Sequence, residues 1–311
     1  MRILISSIGL LTLAAACAPA PAPPSVAPGA PPVSRPGAGA APTIDVDGEA
    51  AGLRAALIRE VPSAVTDPPA AERGWIDRTR AAIAAGGERT DRAQLLVVVD
   101  RNPQVQQLRV VLARPDAAWQ NLGGTKVSTG QMGRQDYYLT PTGVFLHTDA
   151  ILDWRAEGTF NAQHIRGLGL KGMRVWDFGW QVATKGWGPG EQGEIRLLLH
   201  ATDPAYLEQR LGRPASKGCV RIPAAMNRFL DRHGILDVDY ERAAKVDPRF
   251  AALLLPDRIP TPLAGDMLVV VDSSAAPRPT GTTRAEAVSS PGYRGEPAGN
   301  AIQQGCAATL G

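Results

Sequence analysis

His200 and Cys219 are the two residues of this chain whose types and spacing suit nucleophilic chemistry. His200 ends the apolar run EIRLLLH (194–200), which reads as a strand, and Cys219 follows nineteen residues later inside RPASKGCVRIP (213–223). A cysteine attacks as thiolate and needs a base for its proton, and histidine is the side chain whose pKa lies nearest the working pH. Strand ends and the loops beyond them are where folds commonly expose reactive groups. The remaining histidines form no HxH or HExxH pair, so zinc is a weak reading. His147 and His164 are left as structural residues or substrate contacts, and His233 precedes Gly234, a helix-ending glycine, where a basic side chain suits the helix dipole.

The elements that must position this pair are legible in outline. The chain has 311 residues, 44% hydrophobic and 20% charged, enough apolar side chain for a sizeable core. A net charge of +3 without dense Lys/Arg runs argues against a nucleic-acid partner. Helical spacing over Gly48–Arg59 and Trp75–Ala85 predicts a small helical preface (44–93). From Gln94 the texture turns to β: QLLVVVDRNPQVQQLRVVLA predicts a hairpin around Asp-Arg-Asn-Pro. Further strands are expected at Gly143–His147, Met173–Phe178, Ile195–His200 and Met267–Val271. One helix is expected in PAAMNRFLDRHG, from Pro223 to Gly234. The fold class expected is mostly β with helices, α+β, over residues 94–272.

GLGLKG (167–172) has the spelling of a dinucleotide loop but opens no amphipathic helix of a βαβ unit, so it reads as a plain loop. Trp154, Trp176, Trp180 and Trp187 crowd one region with Phe160 and Phe178; core packing is favoured there over a substrate platform.

The N-terminus carries export information. Arg2 begins a short basic region, Ile3–Leu13 is apolar, and LAAAC ends at Cys17, too short to span a bilayer as a mature helix. The small residues before Cys17 and the Pro/Ala tract after it resemble the lipobox of bacterial lipoproteins, although Ala14 stands where that motif usually has leucine. The resemblance implies lipidation at Cys17, a membrane-held periplasmic protein and, since Ala18 is not aspartate, sorting to the outer membrane. Residues 18–43 read as a polyproline-like tether and residues 273–311 as a disordered tail. Three cysteines make no disulfide scaffold; with Cys17 lipidated, Cys219 and Cys306 are the two that could pair in an oxidising compartment.

HATDP (200–204) followed by LGRPASKGCVRIP (211–223) resembles the L,D-transpeptidase (YkuD-type) signature, in which a histidine precedes Ser/Thr-His-Gly-Cys and an Arg or Asn two residues on. Upstream, Thr140, Pro141, Thr142 and Gly143 resemble the TPxG of the same family. The resemblance covers about residues 94–272 and implies a β-sandwich-like catalytic domain acting on peptidoglycan stem peptides, with no metal or cofactor. By the same resemblance Cys219 attacks the L-to-D peptide bond of a tetrapeptide stem, D-alanine leaves, and an amine resolves the thioester. His200 is base and then acid, its ring oriented by the Ala201 carbonyl. Backbone N–H groups around Gly218 and Cys219 are the oxyanion donors, glycine permitting a close turn, while Ser216 and Arg221 set the loop and meet substrate oxygens. Water in place of the amine would give an L,D-carboxypeptidase or a hydrolase of peptidoglycan links. A peptidoglycan-binding envelope lipoprotein without activity is the reading from another class.

Lys217 replaces the histidine that the family places before Gly-Cys. On a locally extended loop residues 217 and 219 can point to one side, the alternative being that Lys217 extends into solvent. An ammonium facing the thiol at roughly 6 Å would be worth roughly 0.7–3 kcal/mol, lowering the Cys219 pKa by roughly 0.5–2 units, and would offer a contact for a stem carboxylate.

Overall fold

The computed structural model describes residues 44–275 as a mixed α+β fold of two sheets and few helices. The expectations for residues 1–43, including Cys17 and the tether, and for 276–311, including Cys306, lie outside the described residues. Among the described residues no helix is long and apolar enough to cross a membrane.

The chain opens with α1 (Val46–Glu60) and α2 (Pro69–Gly86). Asp45 caps α1 by accepting from the Gly48 N–H at 3.0 Å, and Gly87, at φ 73°, closes α2 in the left-handed region where a side chain is disfavoured. Then come β1 (Gln94–Asp100), β2 (Gln107–Ala113), β3 (Gln120–Lys126) and β4 (Gly143–Leu146). They are followed by β5 (Trp154–Arg155), β6 (Arg174–Thr184), β7 (Gln192–Ala201) and β8 (Val220–Ile222). After α3 (Ala224–Arg232), α4 (Val238–Ala243) and α5 (Pro248–Leu253) the fold ends on β9 (Met267–Val271).

The first sheet has the order β3-β2-β1-β9-β4 and the second β5-β6-β7-β8. Pairing is antiparallel except for β1 with β9 and β7 with β8. Alternate residues of the two inner faces interdigitate: Leu95, Val97 and Val99 of β1 share one core with Trp176 and Phe178 of β6, Leu197 and Leu199 of β7, and Val220 and Ile222 of β8. The opposite residues of β1, Leu96 and Val98, pack with Trp75 and Ile83 of α2. The first sheet is therefore covered on both faces, which is why β1 and β9 are nearly continuous apolar runs instead of alternating ones. Both helices of the preface contribute to these cores, α1 through Leu53 and Leu57.

The expected hairpin, the 143–147 and 267–271 strands and the first three helices are present. The expected Met173–Phe178 and Ile195–His200 strands extend into one long hairpin, β6–β7, reaching Thr184 and Gln192. β3, β5 and β8 carry no period-two apolar signal of useful length, and α4 and α5 are single short turns of six residues each.

A chain of ion pairs, buried at Asp153, Arg174 and Asp237 and reaching the surface at Glu241, fastens the second sheet to α3 and α4. Asp153, Asp231, Asp237 and Glu241 face Arg155, Arg174 and Arg258. The fourth cation is His147, fully buried and stacked on Tyr240 at 4.4 Å between ring centres. Its Nδ1 lies 2.8 Å from the Leu236 carbonyl oxygen and its Nε2 2.9 Å from Asp153 Oδ2. Both neighbours are acceptors, so both nitrogens carry protons and the ring is an imidazolium. Burial opposes that charge, but Asp153 and Asp237 overcome it and raise the His147 pKa above its usual value. This stability is present in full below about pH 6.5, where unfolded histidine titrates, and is lost as the pH rises through the folded value. Urea unfolding between pH 6 and 10 should show this alkaline decline. His147→Gln should cost about 3–5 kcal/mol at pH 6, the usual price of stranding a buried partner, and should flatten the decline.

Candidate active site

The parallel ladder of β7 and β8 sets Leu199 against Val220, His200 against Arg221 and Ala201 against Ile222. Leu199, Val220 and Ile222 point into the inter-sheet core, so His200 and Arg221 project from the opposite face. Cys219 is on that outer face too: it belongs to one apolar cluster with Leu198, two residues before His200, and with Val175, directly opposite His200 on β6. The structure thus brings His200, Cys219 and Arg221 together on one patch of sheet.

His200 is fully buried, and its Nδ1 lies 2.6 Å from the carbonyl oxygen of Ala201. A carbonyl only accepts, so Nδ1 carries the proton. Nε2 has no hydrogen-bond partner. Burial, and then the adjacent Arg221 guanidinium, lower the His200 pKa to about 3, the bond to Ala201 pulling weakly the other way. The imidazole is therefore neutral at any physiological pH, with its lone pair at Nε2. Arg221 is itself buried enough that its own pKa falls to about 10, and its Nη1 donates to the Ala215 carbonyl at 3.3 Å.

Cys219 is 1% exposed, with Sγ 3.6 Å from the Arg196 carbonyl oxygen. The Cys219 sulfur is disulfide-bonded. The sequence reading required a thiol here; in this structure the sulfur is capped, and attack requires reduction first.

The loop before Cys219 is held by side chains more than by backbone ladders. Ser216 Oγ donates to the Cys219 carbonyl at 2.6 Å and accepts from the Gly218 N–H at 3.1 Å. The Gly218 N–H, expected as an oxyanion donor, is thus already engaged, because a hydroxyl two residues back closes a turn on it. Ser216 is fully buried and fixes the loop from inside. Gly218 has φ 130°, a region that L side chains rarely adopt, so the regular alternation of strand residues assumed for Lys217 is interrupted there. Lys217 Nζ instead lies over the ring of Tyr137, 5.6 Å from its centre.

Residues that carried no role in the sequence reading complete the frame. Thr140, of the TPTG stretch, donates through Oγ1 to the Gly218 carbonyl at 2.7 Å while accepting from the Gly130 N–H at 2.9 Å. Thr129 accepts from the Ser216 N–H at 3.0 Å and Tyr138 donates to the Lys217 carbonyl at 3.3 Å. Thr140 was named only as the first residue of the Thr-Pro-x-Gly spelling, and Thr129 and Tyr138 lie upstream of it.

The cover over this patch is the 156–173 segment, whose Ala156, Leu168 and Met173 join Cys219 and Leu198 in the same cluster. The GLGLKG stretch lies in it. Gly169, at φ 90°, passes so near β7 that a Cβ there would sit 2.7 Å from Ala201 Cβ. The glycine serves close approach. At the end of β7, Asp203 holds the cover by accepting from the Arg166 N–H at 2.9 Å. His164, stacked on Phe160, and His233, 3.1 Å from Glu60, are remote from the cysteine in role. Among the described residues no three His, Cys, Asp or Glu side chains group as metal ligands.

Neither family models nor curated proteins match this sequence.

Three outcomes test this geometry. Without reductant, iodoacetamide should leave Cys219 unmodified and peptide mapping should recover it as a disulfide; with reductant it should label. Between pH 6.5 and 3 the unfolded chain binds a proton that folded His200 does not, so stability falls as the pH drops through that window. Urea midpoints should accordingly fall for the wild type and fall less for His200→Gln. Gly169→Ala should destabilise by about 1–3 kcal/mol and speed labelling of reduced Cys219 by loosening the cover.

Proposed function

We propose that this chain is a peptidoglycan L,D-transpeptidase of the YkuD type, acting through a Cys219 thioester. The observation that carries the reading is the state of His200: neutral, tethered through Nδ1 to Ala201, with the Nε2 lone pair unoccupied on the face that holds Cys219. The order of His200, Ser216, Gly218, Cys219 and Arg221, with Thr140–Gly143 upstream, supports it from the sequence.

Once a dithiol reductant has exchanged with the disulfide, leaving as its own disulfide and releasing Cys219 as a thiol, His200 Nε2 takes the Cys219 proton and Sγ attacks the carbonyl that joins the third stem residue to D-alanine. The C–N bond breaks, the imidazolium returns its proton to the leaving amine, and D-alanine departs from a thioester. An acceptor amine then attacks the thioester, losing a proton to His200 as the C–S bond breaks. A ring whose resting pKa is near 3 is a weak base toward water but accepts a proton readily when a thiolate forms beside it, because the ion pair offsets the desolvation that depressed it. Arg221 opposes that protonation in the resting state and offers its charge to the developing oxyanion or a stem carboxylate. The lipobox-like Cys17 would hold the domain at a membrane facing this substrate.

Reduced protein incubated with disaccharide tetrapeptides should release D-alanine and form cross-linked dimers, identified by mass. Tripeptides alone would make it a carboxypeptidase. Cys219→Ala should yield neither product and His200→Ala should lose at least about a hundredfold in kcat; normal products from Cys219→Ala would end the assignment.

A further inference from the structure

The outer face of the second sheet is covered over His200 and Cys219 but open at the end of the β6–β7 hairpin. There Trp180 and Val182, two residues apart on β6, are 62% and 61% exposed. The other tryptophans, all of them within the described residues, are buried or half-buried, Trp176 completely. Across the ladder Trp180 faces Arg196 and Val182 faces Glu194. Opposed residues share a face, so this strip continues the face of Leu198 and His200. It also reaches the nucleophile, since the Arg196 carbonyl oxygen is the group 3.6 Å from Cys219 Sγ.

The indole is braced: the Arg196 guanidinium carbon lies 5.9 Å from the centre of the Trp180 ring, and both Asp177 carboxylate oxygens accept from Arg196 at 2.7–3.0 Å. With Arg196 neutralised by Asp177, Glu194 leaves the strip negative, which disfavours a carboxylate-rich peptide. A flat apolar ring with hydrogen-bonding groups along its border and no net positive charge suits a pyranose, which has an apolar C–H face and a rim of hydroxyls.

We propose that Trp180 is a saccharide platform, on which an uncharged N-acetylated sugar at the root of the stem peptide stacks while the stem crosses β7 to Cys219. The length agrees. Cys219, level with Leu198, and Trp180, level with Arg196, are two strand spacings across and two residues along the sheet from one another, about 12 Å, and three extended stem residues of about 10 Å with the link that joins them to the sugar cover that separation. The proposal deepens the transpeptidase reading and rests on it for the identity of the ligand.

The test uses the full-length reduced protein and three probes: tri-N-acetylchitotriose, a disaccharide tetrapeptide and the free tetrapeptide. Trp180→Ala should weaken chitotriose binding, followed calorimetrically, by about tenfold or more, and Trp180→Phe should retain most of it. The same change should raise KM for the disaccharide tetrapeptide by a similar factor with kcat unchanged, and leave the free tetrapeptide unaffected. Equal losses for both peptides would place the stem on Trp180 and overturn the saccharide assignment; so would chitotriose binding that is absent or indifferent to Trp180→Ala. Chitotriose binding that depends on Trp180 in a protein forming no product would sustain the platform and fault the activity reading alone.

Discussion

The parallel pairing of three residues of β7 with three of β8 is the constraint on which the rest of this site depends. It sets His200 beside Arg221 and, through the two-residue period of a strand, puts both on the side of the sheet where Cys219 packs. A slip of one residue would turn His200 into the inter-sheet core and a leucine outward. Val220 and Ile222 prevent that slip, because each is buried among Leu197, Leu199 and the first sheet. The alignment of His200 with Arg221 is thus held by apolar side chains on the opposite face, and the polar residues take positions that the core has already decided.

Burial then separates the two fully buried histidines into opposite chemical states. His147 lies between two acceptors within a network whose carboxylates outnumber its guanidiniums, and it is an imidazolium. His200 has one carbonyl at one nitrogen and a guanidinium alongside, and it is neutral. Both rings lie in surroundings of low dielectric where an unpaired charge is expensive. The sign of the nearest charge selects which form is tolerated, giving one residue that locks structure and one that can take a proton.

The site is closed in this state. The 156–173 segment covers the sheet face, Gly169 lets it lie against Ala201, and the Cys219 sulfur is in a disulfide. Beyond that cover the same face emerges as the exposed Trp180 and Val182 strip, joined to the Cys219 sulfur through the Arg196 carbonyl. The bulge in β6 between Asp177 and Trp180 produces this arrangement: it adds a residue opposite β7 and keeps Asp177, opposite Leu198, and Trp180, opposite Arg196, on one face, where both side chains meet Arg196.

How much of this was legible in the chain follows from which interactions are local. The apolar periods of 94–113 and 267–271, the β-branched runs and the capping signals determine their elements by themselves, since each element's own residues supply the pattern. The spacing of His200, Gly218 and Cys219 and the residue types around them marked these residues as candidates for the same reason. β3, β5 and β8 were not legible, because a strand of two or three residues, or one rich in Gly and Asn, has no pattern apart from its partners. Nor was the orientation of Lys217, whose ammonium lies over the ring of Tyr137, eighty residues earlier in the chain. Tertiary structure alone decided that His200 is neutral, that the Gly218 N–H is spent on Ser216, and that of four clustered tryptophans Trp176 is core while Trp180 faces solvent. Protonation, hydrogen-bond occupancy and exposure are set by atoms distant in sequence, whereas residue type and local period are carried by the residues themselves.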